Sequence, residues 1–163
     1  GTGLHPTTRM CLELLERLVR TGVRVLDLGT GSGVLAIAAA KLGASQVLAL
    51  DTDSVAVRVA DDNVSLNRVG GRVQVQRGTL TGSQDTASDK YDVISANITA
   101  KTICDLAPAM VGRLRTEGII IAGGILEQQL DEVEGSFAKL GCQVRETVVV
   151  EDWRTVVVEL KRS

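Results

Sequence analysis

The stretch VRVLDLGTGSGVLAIAAAKLGA, residues 23–44, decides the fold class of this chain. Residues 23–28 are almost entirely apolar and predict a short buried strand. Gly29 to Gly33 form a glycine-rich turn, and residues 34–42 predict a helix that Gly43 ends. A strand that passes through such a turn into a helix is typical of an open α/β sheet, in which ligands bind at the carboxyl ends of the strands.

The rest of the chain repeats this alternation of strand and helix. Further strands are predicted at residues 47–50, 72–76, 91–96 and 118–122, and further helices at about 7–19, 54–67, 101–114 and 126–140. The tail from residue 142 carries two valine-rich runs that predict an antiparallel hairpin. This order predicts an α/β fold with a doubly wound, mostly parallel sheet of about seven strands. The polar stretch 78–90 is predicted to be a surface loop.

The composition excludes several classes of protein. The 163 residues carry a net charge of −2, with 44% hydrophobic and 23% charged residues, as expected for one globular domain. Tyr91, Phe137 and Trp153 are the only Tyr, Phe and Trp, so the core is predicted to be aliphatic. Direct nucleic-acid binding is not expected, because there is no basic excess and little to stack bases. No apolar run approaches 18 residues, so no membrane span is expected.

The cysteines and the histidine argue against disulfides and metal sites. Cys11, Cys104 and Cys142 are odd in number and widely scattered, and they are expected to be reduced, as in a cytoplasmic protein. One histidine and no clustered cysteines make a metal site unexpected.

The glycine-rich turn is the predicted cofactor loop, and the spacing of its glycines points to the kind of cofactor. Gly29, Gly31 and Gly33 follow the pattern GxGxG, whereas a dinucleotide fingerprint needs its third glycine at position 34, which is Val34. The pattern therefore favours S-adenosylmethionine, which has no diphosphate. Asp51 ends the second strand, where a carboxylate can accept hydrogen bonds from ribose hydroxyls. The alternative is that these glycines only form a tight turn.

Four segments resemble one family of class I methyltransferases. They are GTGLHPTT at 1–8, DLGTGSGVLAIAAAKLGA at 27–44, ALDTD at 49–53 and SANITA at 95–100. The chain resembles the bacterial PrmA family, which trimethylates the stalk-base protein, number eleven, of the large ribosomal subunit. The GTGxHxTT opening is the specific segment, because most class I enzymes share only the glycine loop. The resemblance implies a class I (Rossmann-like) fold, S-adenosylmethionine as cofactor, and lysine and N-terminal amines of this ribosomal protein as acceptors.

The resemblance also assigns site residues. It implies cofactor contacts at Thr8, Gly29, Asp51 and Asn97. The Asn97 amide, after the fourth strand, can hold an amine against the cofactor, which makes Asn97 the candidate catalytic residue. The alternatives are that Thr8 merely caps a helix and that Asn97 is a solvent-facing turn residue. His5 is expected to shape the opening segment and stays outside the catalytic set.

The resemblance further implies that residues 1–163 are one methyltransferase domain. In the family, the GTGxHxTT segment lies over the cofactor as a lid, and a separate N-terminal substrate-recognition domain precedes it. That domain is absent here, so the chain is expected to be an excised catalytic domain.

Two departures from common class I patterns bear on the substrate. The stretch QRGTLTG, residues 76–82, has no acid to read the adenine amino group, so adenine contacts stay unassigned. Residues 98–100 replace the Pro-Pro-aromatic of enzymes that methylate base nitrogens, which favours a protein amine. Open alternatives are another protein lysine or a small amine as acceptor, a nicotinamide-dependent oxidoreductase, and a cofactor-binding module without catalysis.

Overall fold

The computed structural model describes residues 4–80 and 89–162. The opening residues 1–3, which belong to the predicted lid, and residues 81–88 of the predicted surface loop lie outside the described residues.

The described residues form helices and strands in the predicted alternation. The helices are α1 (Pro6–Leu18), α2 (Val34–Lys41), α3 (Ser54–Leu66), α4 (Ala100–Gly112) and α5 (Leu130–Ala138). The strands are β1 (Arg24–Leu28), β2 (Gln46–Asp51), β3 (Val73–Arg77), β4 (Tyr91–Asn97), β5 (Leu114–Leu126), β6 (Cys142–Val150) and β7 (Trp153–Leu160). A short 3₁₀ turn, Glu127–Gln129, joins β5 to α5. No helix in the described part of the chain is long and apolar enough to cross a membrane.

One seven-stranded sheet has the order β3-β2-β1-β4-β5-β7-β6. Strands β1 to β5 pair in parallel, and β7 runs antiparallel to both β5 and β6. The chain leaves β1 toward β2 and β3, then returns to add β4 and β5 on the other side. The predicted α/β fold, with a doubly wound, mostly parallel seven-stranded sheet and an antiparallel C-terminal hairpin, is confirmed.

The hairpin joins the sheet through its second strand, an order that was not predicted. Val156, Val157 and Val158 of β7 are fully buried, as expected of an interior strand. Along β6 the residues from Glu146 to Val150 alternate between exposed and partly buried, as expected of an edge strand with one solvated face.

The fifth strand is longer than predicted. The prediction covered residues 118–122, but pairing with β7 continues to Leu126 opposite Trp153. A register shift between Ala122 and Ile125 accommodates two consecutive glycines without ending the strand. The last helix consequently begins at Leu130 rather than near residue 126.

The core is aliphatic and lies on both faces of the sheet. One face packs against α1 and α2, with Cys11, Leu14, Leu35 and Ala39 among its buried residues. The other face packs against α4 and α5, with Ile103, Met110, Val133 and Phe137. Side chains alternate along β1, so the acid in the middle of this strand, Asp27, points to the α1–α2 face.

Candidate functional site

The predicted site residues other than Thr8 lie at the carboxyl ends of β1, β2 and β4, where the strand order reverses. A cleft of about 360 Å³ opens there, and its walls include Gly29, Asp51, Thr52, Thr79, Ile98 and Leu106. This is the edge at which an open parallel sheet binds its ligands.

A second cleft, of about 440 Å³, lies at the opposite edge of the sheet and contains none of the predicted site residues. Its arginines hold the protein backbone. The Nη1 group of Arg24 donates to the carbonyl oxygen of Lys90, and Nη1 of Arg72 donates to that of Ala40 at 2.6 Å. Nε of Arg113 donates to the carbonyl oxygen of Asp89 at 2.6 Å. We therefore assign these side chains a structural role.

The glycine loop has the backbone geometry that its sequence requires. Gly29, Gly31 and Gly33 have φ angles of 65°, 57° and 86°, in the left-handed region. A Cβ atom at Gly29 would lie 2.5 Å from Cγ2 of Ile98, whereas one at Gly31 would meet no atom within 4 Å. Gly29 thus permits close packing between the loop and the segment after β4. Gly31 leaves open space beside the loop.

Asp51 fixes the loop and keeps capacity for a ligand. Its Oδ2 accepts from the Gly31 amide at 2.9 Å, and its Oδ1 accepts from the Asp53 amide at 3.0 Å. A carboxylate offers about four lone-pair positions, so each oxygen can still accept one hydroxyl. This arrangement fits the predicted contact with a ribose.

Asn97 is the last residue of β4, and its side chain is turned into the protein. Nδ2 donates to Oγ1 of Thr8 at 3.3 Å. Oδ1 is buried and has no hydrogen-bond partner among the described residues. A buried acceptor without a partner costs about 1–3 kcal/mol, so such an atom calls for an explanation. A ligand donor supplies one, and a solvent-facing turn residue does not match this geometry.

Thr8 lies in the first turn of α1 and is brought to Asn97 across 89 residues of sequence. The helix cap that was the alternative role for Thr8 belongs instead to His5, whose Nδ1 accepts from the Thr7 amide at 3.2 Å. The His5 ring also contacts Trp153 edge to face, with ring centroids 5.0 Å apart. His5 therefore shapes the opening segment, as expected.

Asp27 was not among the predicted site residues. This residue is 1% exposed, and it accepts from Oγ1 of Thr30 and from Oγ of Ser95, each at 2.7 Å. Burial raises the pKa of Asp27 from its ordinary value of 3.8 to about 6, although these two hydroxyls favour the charged form. The available signal was an acid inside an otherwise apolar strand, immediately before the glycine loop.

The free energy of unfolding of Asp27→Asn, taken relative to wild type, is expected to increase as pH rises from about 4 to about 6. A carboxyl with a raised pKa binds its proton more tightly when folded, so ionisation in this pH window reduces stability. An amide avoids that cost, whose upper limit is about 3 kcal/mol. Urea unfolding at several pH values measures the difference, with Asp61→Asn on the exposed face of α3 as control. The same difference between Asp27→Asn and wild type at pH 4 and pH 8 would contradict this expectation.

The described residues contain no group of three or more His, Cys, Asp or Glu side chains that could hold a metal ion. The cysteines in this part of the chain are unpaired thiols. Burial and the nearby Asp27 raise the pKa of Cys11 to about 12, so this thiol stays protonated.

Comparison with known proteins places the chain in one family. The family model described as ribosomal protein L11 methyltransferase (PrmA) matches residues 1–161. A ribosomal protein L11 methyltransferase from Chloroflexus aurantiacus is 47% identical, over 96% of this chain and 54% of the relative. One from Heliobacterium modesticaldum is 46% identical, over 96% and 49%. The chain thus spans about half the length of the curated relatives it matches.

A solved structure agrees with these relatives. The ribosomal protein L11 methylase of Lactobacillus delbrueckii subsp. bulgaricus superposes with a TM-score of 0.91 at 34% sequence identity. The match covers 98% of this chain and 81% of that one. By sequence and by structure, the chain belongs to the ribosomal protein L11 methyltransferase (PrmA) family.

Proposed function

We propose that this chain is an S-adenosylmethionine-dependent protein N-methyltransferase domain, spanning residues 1–163. Its acceptors are lysine and N-terminal amines of ribosomal protein L11, and it acts in the cytoplasm. The observation that carries the proposal is the buried, partnerless Oδ1 of Asn97 beside Thr8, at the same sheet edge as the glycine loop and Asp51. Membership in the PrmA family supports the same reaction and acceptor.

The residues at this edge fit the cofactor. The open space beside Gly31 admits a ligand close to the backbone, and the free lone pairs of Asp51 suit ribose hydroxyls. When bound, S-adenosylmethionine supplies a methyl group already activated by a sulfonium, so the protein mainly needs to align and desolvate the acceptor.

Asn97 and Thr8 orient the acceptor amine. Because Thr8 accepts from Nδ2, the opposite side of the Asn97 amide, Oδ1, is left to accept from an amine N–H. An amine held in this way directs its lone pair away from the bond to Oδ1. Asn97 is therefore the proposed catalytic residue, and Thr8 fixes its amide.

The acceptor must lose a proton before it can react. Deprotonating a lysine of ordinary pKa costs about 4.6 kcal/mol at pH 7. In the described part of the chain, the Asn97 and Thr8 side chains hydrogen-bond to each other and to no carboxylate. We propose that the amine gives its proton to water, with burial beside a cationic cofactor lowering its pKa.

The alternatives have less support. Val34, the first residue of α2, occupies the place of the third glycine in a dinucleotide fingerprint, which argues against a nicotinamide-dependent oxidoreductase. A binding module without catalysis would be refuted by an Asn97→Ala variant that keeps its affinity for the cofactor and loses turnover. Methylation of another protein lysine or a small amine uses the same site and is separated only by assay.

Calorimetric titration tests the cofactor part of the proposal. We expect S-adenosylmethionine to bind the wild-type chain and NADH not to bind. Asp51→Ala is expected to lower the affinity for S-adenosylmethionine at least about tenfold, because it removes ribose contacts and the acceptor that holds the Gly31 amide. Binding of NADH alone, or undiminished binding to Asp51→Ala, would refute this assignment of the pocket.

Mass spectrometry tests the acceptor. Ribosomal protein L11, a lysine-rich protein of unrelated fold and a free small amine are each incubated with the chain and cofactor. Mass increments of whole methyl groups on L11 alone support the proposal. Modification of the other acceptors at equal rates would contradict the proposed specificity.

A further inference from the structure

Asp27 is the buried ionisable group at the site that the proposed reaction does not use. Two hydroxyl donors converge on its carboxyl: the Thr30 hydroxyl from the glycine loop and the Ser95 hydroxyl from β4. The backbone amide of Ala36, in the first turn of α2, also favours the charged form of this carboxyl. Gly33, which caps α2, has no side chain to offer, so Asp27 supplies an anion to this helix N-terminus.

The charged and titratable groups around Asp27 are anions or neutral thiols. Asp51 at the end of β2 raises the pKa of Asp27 through charge repulsion, and Cys11 on α1 faces Asp27 as a protonated thiol. Ion pairs among the described residues do not include Asp27 or Asp51. A buried carboxylate is ordinarily paired with a cation, and here the protein supplies hydroxyl and amide donors instead.

We propose that Asp27 is a positioning residue that, as a carboxylate, holds the glycine loop through Thr30 and favours the cationic sulfonium cofactor over its neutral thioether product. The inference rests on the proposed function, since it concerns the cofactor of the same site. S-adenosylmethionine differs from S-adenosylhomocysteine by one methyl group and one positive charge. A fixed negative charge beside the loop distinguishes the two ligands and helps the product to leave.

A purely structural role makes a different prediction. If Asp27 only held Thr30, Ser95 and α2 in place, its loss would weaken both ligands equally, and their affinity ratio would not change with pH. If its charge also acts on the ligand, the preference for the sulfonium falls when the carboxyl is protonated. The raised pKa, about 6, places this transition within an accessible pH range.

The test is calorimetric titration of both ligands between pH 5 and pH 8, on wild type and Asp27→Asn. For wild type, we expect the ratio of the dissociation constants, product over cofactor, to fall about tenfold from pH 8 to pH 5. In Asp27→Asn this ratio should be low and independent of pH. Thermal melts of both proteins verify that the variant is folded.

Two further variants keep the charge and remove one donor each. Thr30→Val and Ser95→Ala are expected to weaken both ligands by similar factors and to retain the pH-dependent ratio. A ratio in wild type that does not change with pH overturns the inference while leaving the cofactor assignment intact. The same pH-dependent ratio in Asp27→Asn also overturns it. If wild type binds neither ligand, the proposed function fails together with the inference.

Discussion

Asn97→Ala is expected to lower kcat for methyl transfer at least about a hundredfold, because the acceptor amine loses the group that aligns it. Affinity for S-adenosylmethionine should change by less than about tenfold, since the glycine loop and Asp51 remain. The free energy of unfolding should stay equal or rise by about 1 kcal/mol, because the variant removes a buried oxygen that lacks a partner. Lost activity with retained stability is the expected result of removing a functional group.

Thr8→Val is the companion variant. It removes the hydroxyl that accepts from Nδ2 of Asn97 but keeps the shape of the side chain at position 8. The Asn97 amide can then flip between its two orientations. We expect kcat to fall about twofold, far less than in Asn97→Ala, because about half of the amide orientations remain productive. Initial rates with saturating cofactor, calorimetric affinities and urea unfolding measure these effects. Wild-type kcat in Asn97→Ala would remove Asn97 from the catalytic set.

The sequence predicted the fold well where local pattern and tertiary structure agree. Residues 23–44 show this agreement, because an apolar run, a glycine turn and a helix each have their own signal. The carboxyl end of β5 was missed because consecutive glycines normally terminate a strand, whereas here a bulge accommodates them. The position of β7 inside the sheet depends on pairing with β5, which no local pattern encodes.

The candidate site was predicted unevenly for similar reasons. Asp51 was predicted because it ends a strand whose carboxyl end meets the glycine loop. Asn97 was implied by the family resemblance. The contact between Thr8 and Asn97 joins residues far apart in sequence and was not predicted, since the family resemblance implied only that each of them contacts the cofactor. Asp27 was not predicted as a site residue because it lies within a predicted strand that is otherwise apolar. Its two hydroxyl donors, from Thr30 and Ser95, come together only in the folded chain.

The bulge of β5 at Gly123 and Gly124 packs against the segment that follows β4. A single methyl group added at Gly124 should therefore disrupt the site. Gly124 has a φ of 82°, and a Cβ atom at this position would overlap the carbonyl oxygen of Ile98 and lie 3.4 Å from Oδ1 of Asn97. The Ile98 amide also donates to the carbonyl oxygen of Gly123 at 3.2 Å. The bulge and the segment after β4 are therefore packed and hydrogen-bonded together, and neither can move without displacing the other.

Gly124→Ala is expected to destabilise the chain by about 2–5 kcal/mol, from left-handed strain and from overpacking against backbone. Gly141→Ala is the matched control, because Gly141 has a φ of 79° but no atom within 4 Å of a built Cβ. It should cost only the strain, about 1–2 kcal/mol. Urea unfolding and kcat are measured on both. Since Gly124→Ala must displace Ile98 and with it Asn97, its kcat should fall where that of Gly141→Ala does not. Equal stability and equal activity of the two variants would show that the bulge does not position Asn97.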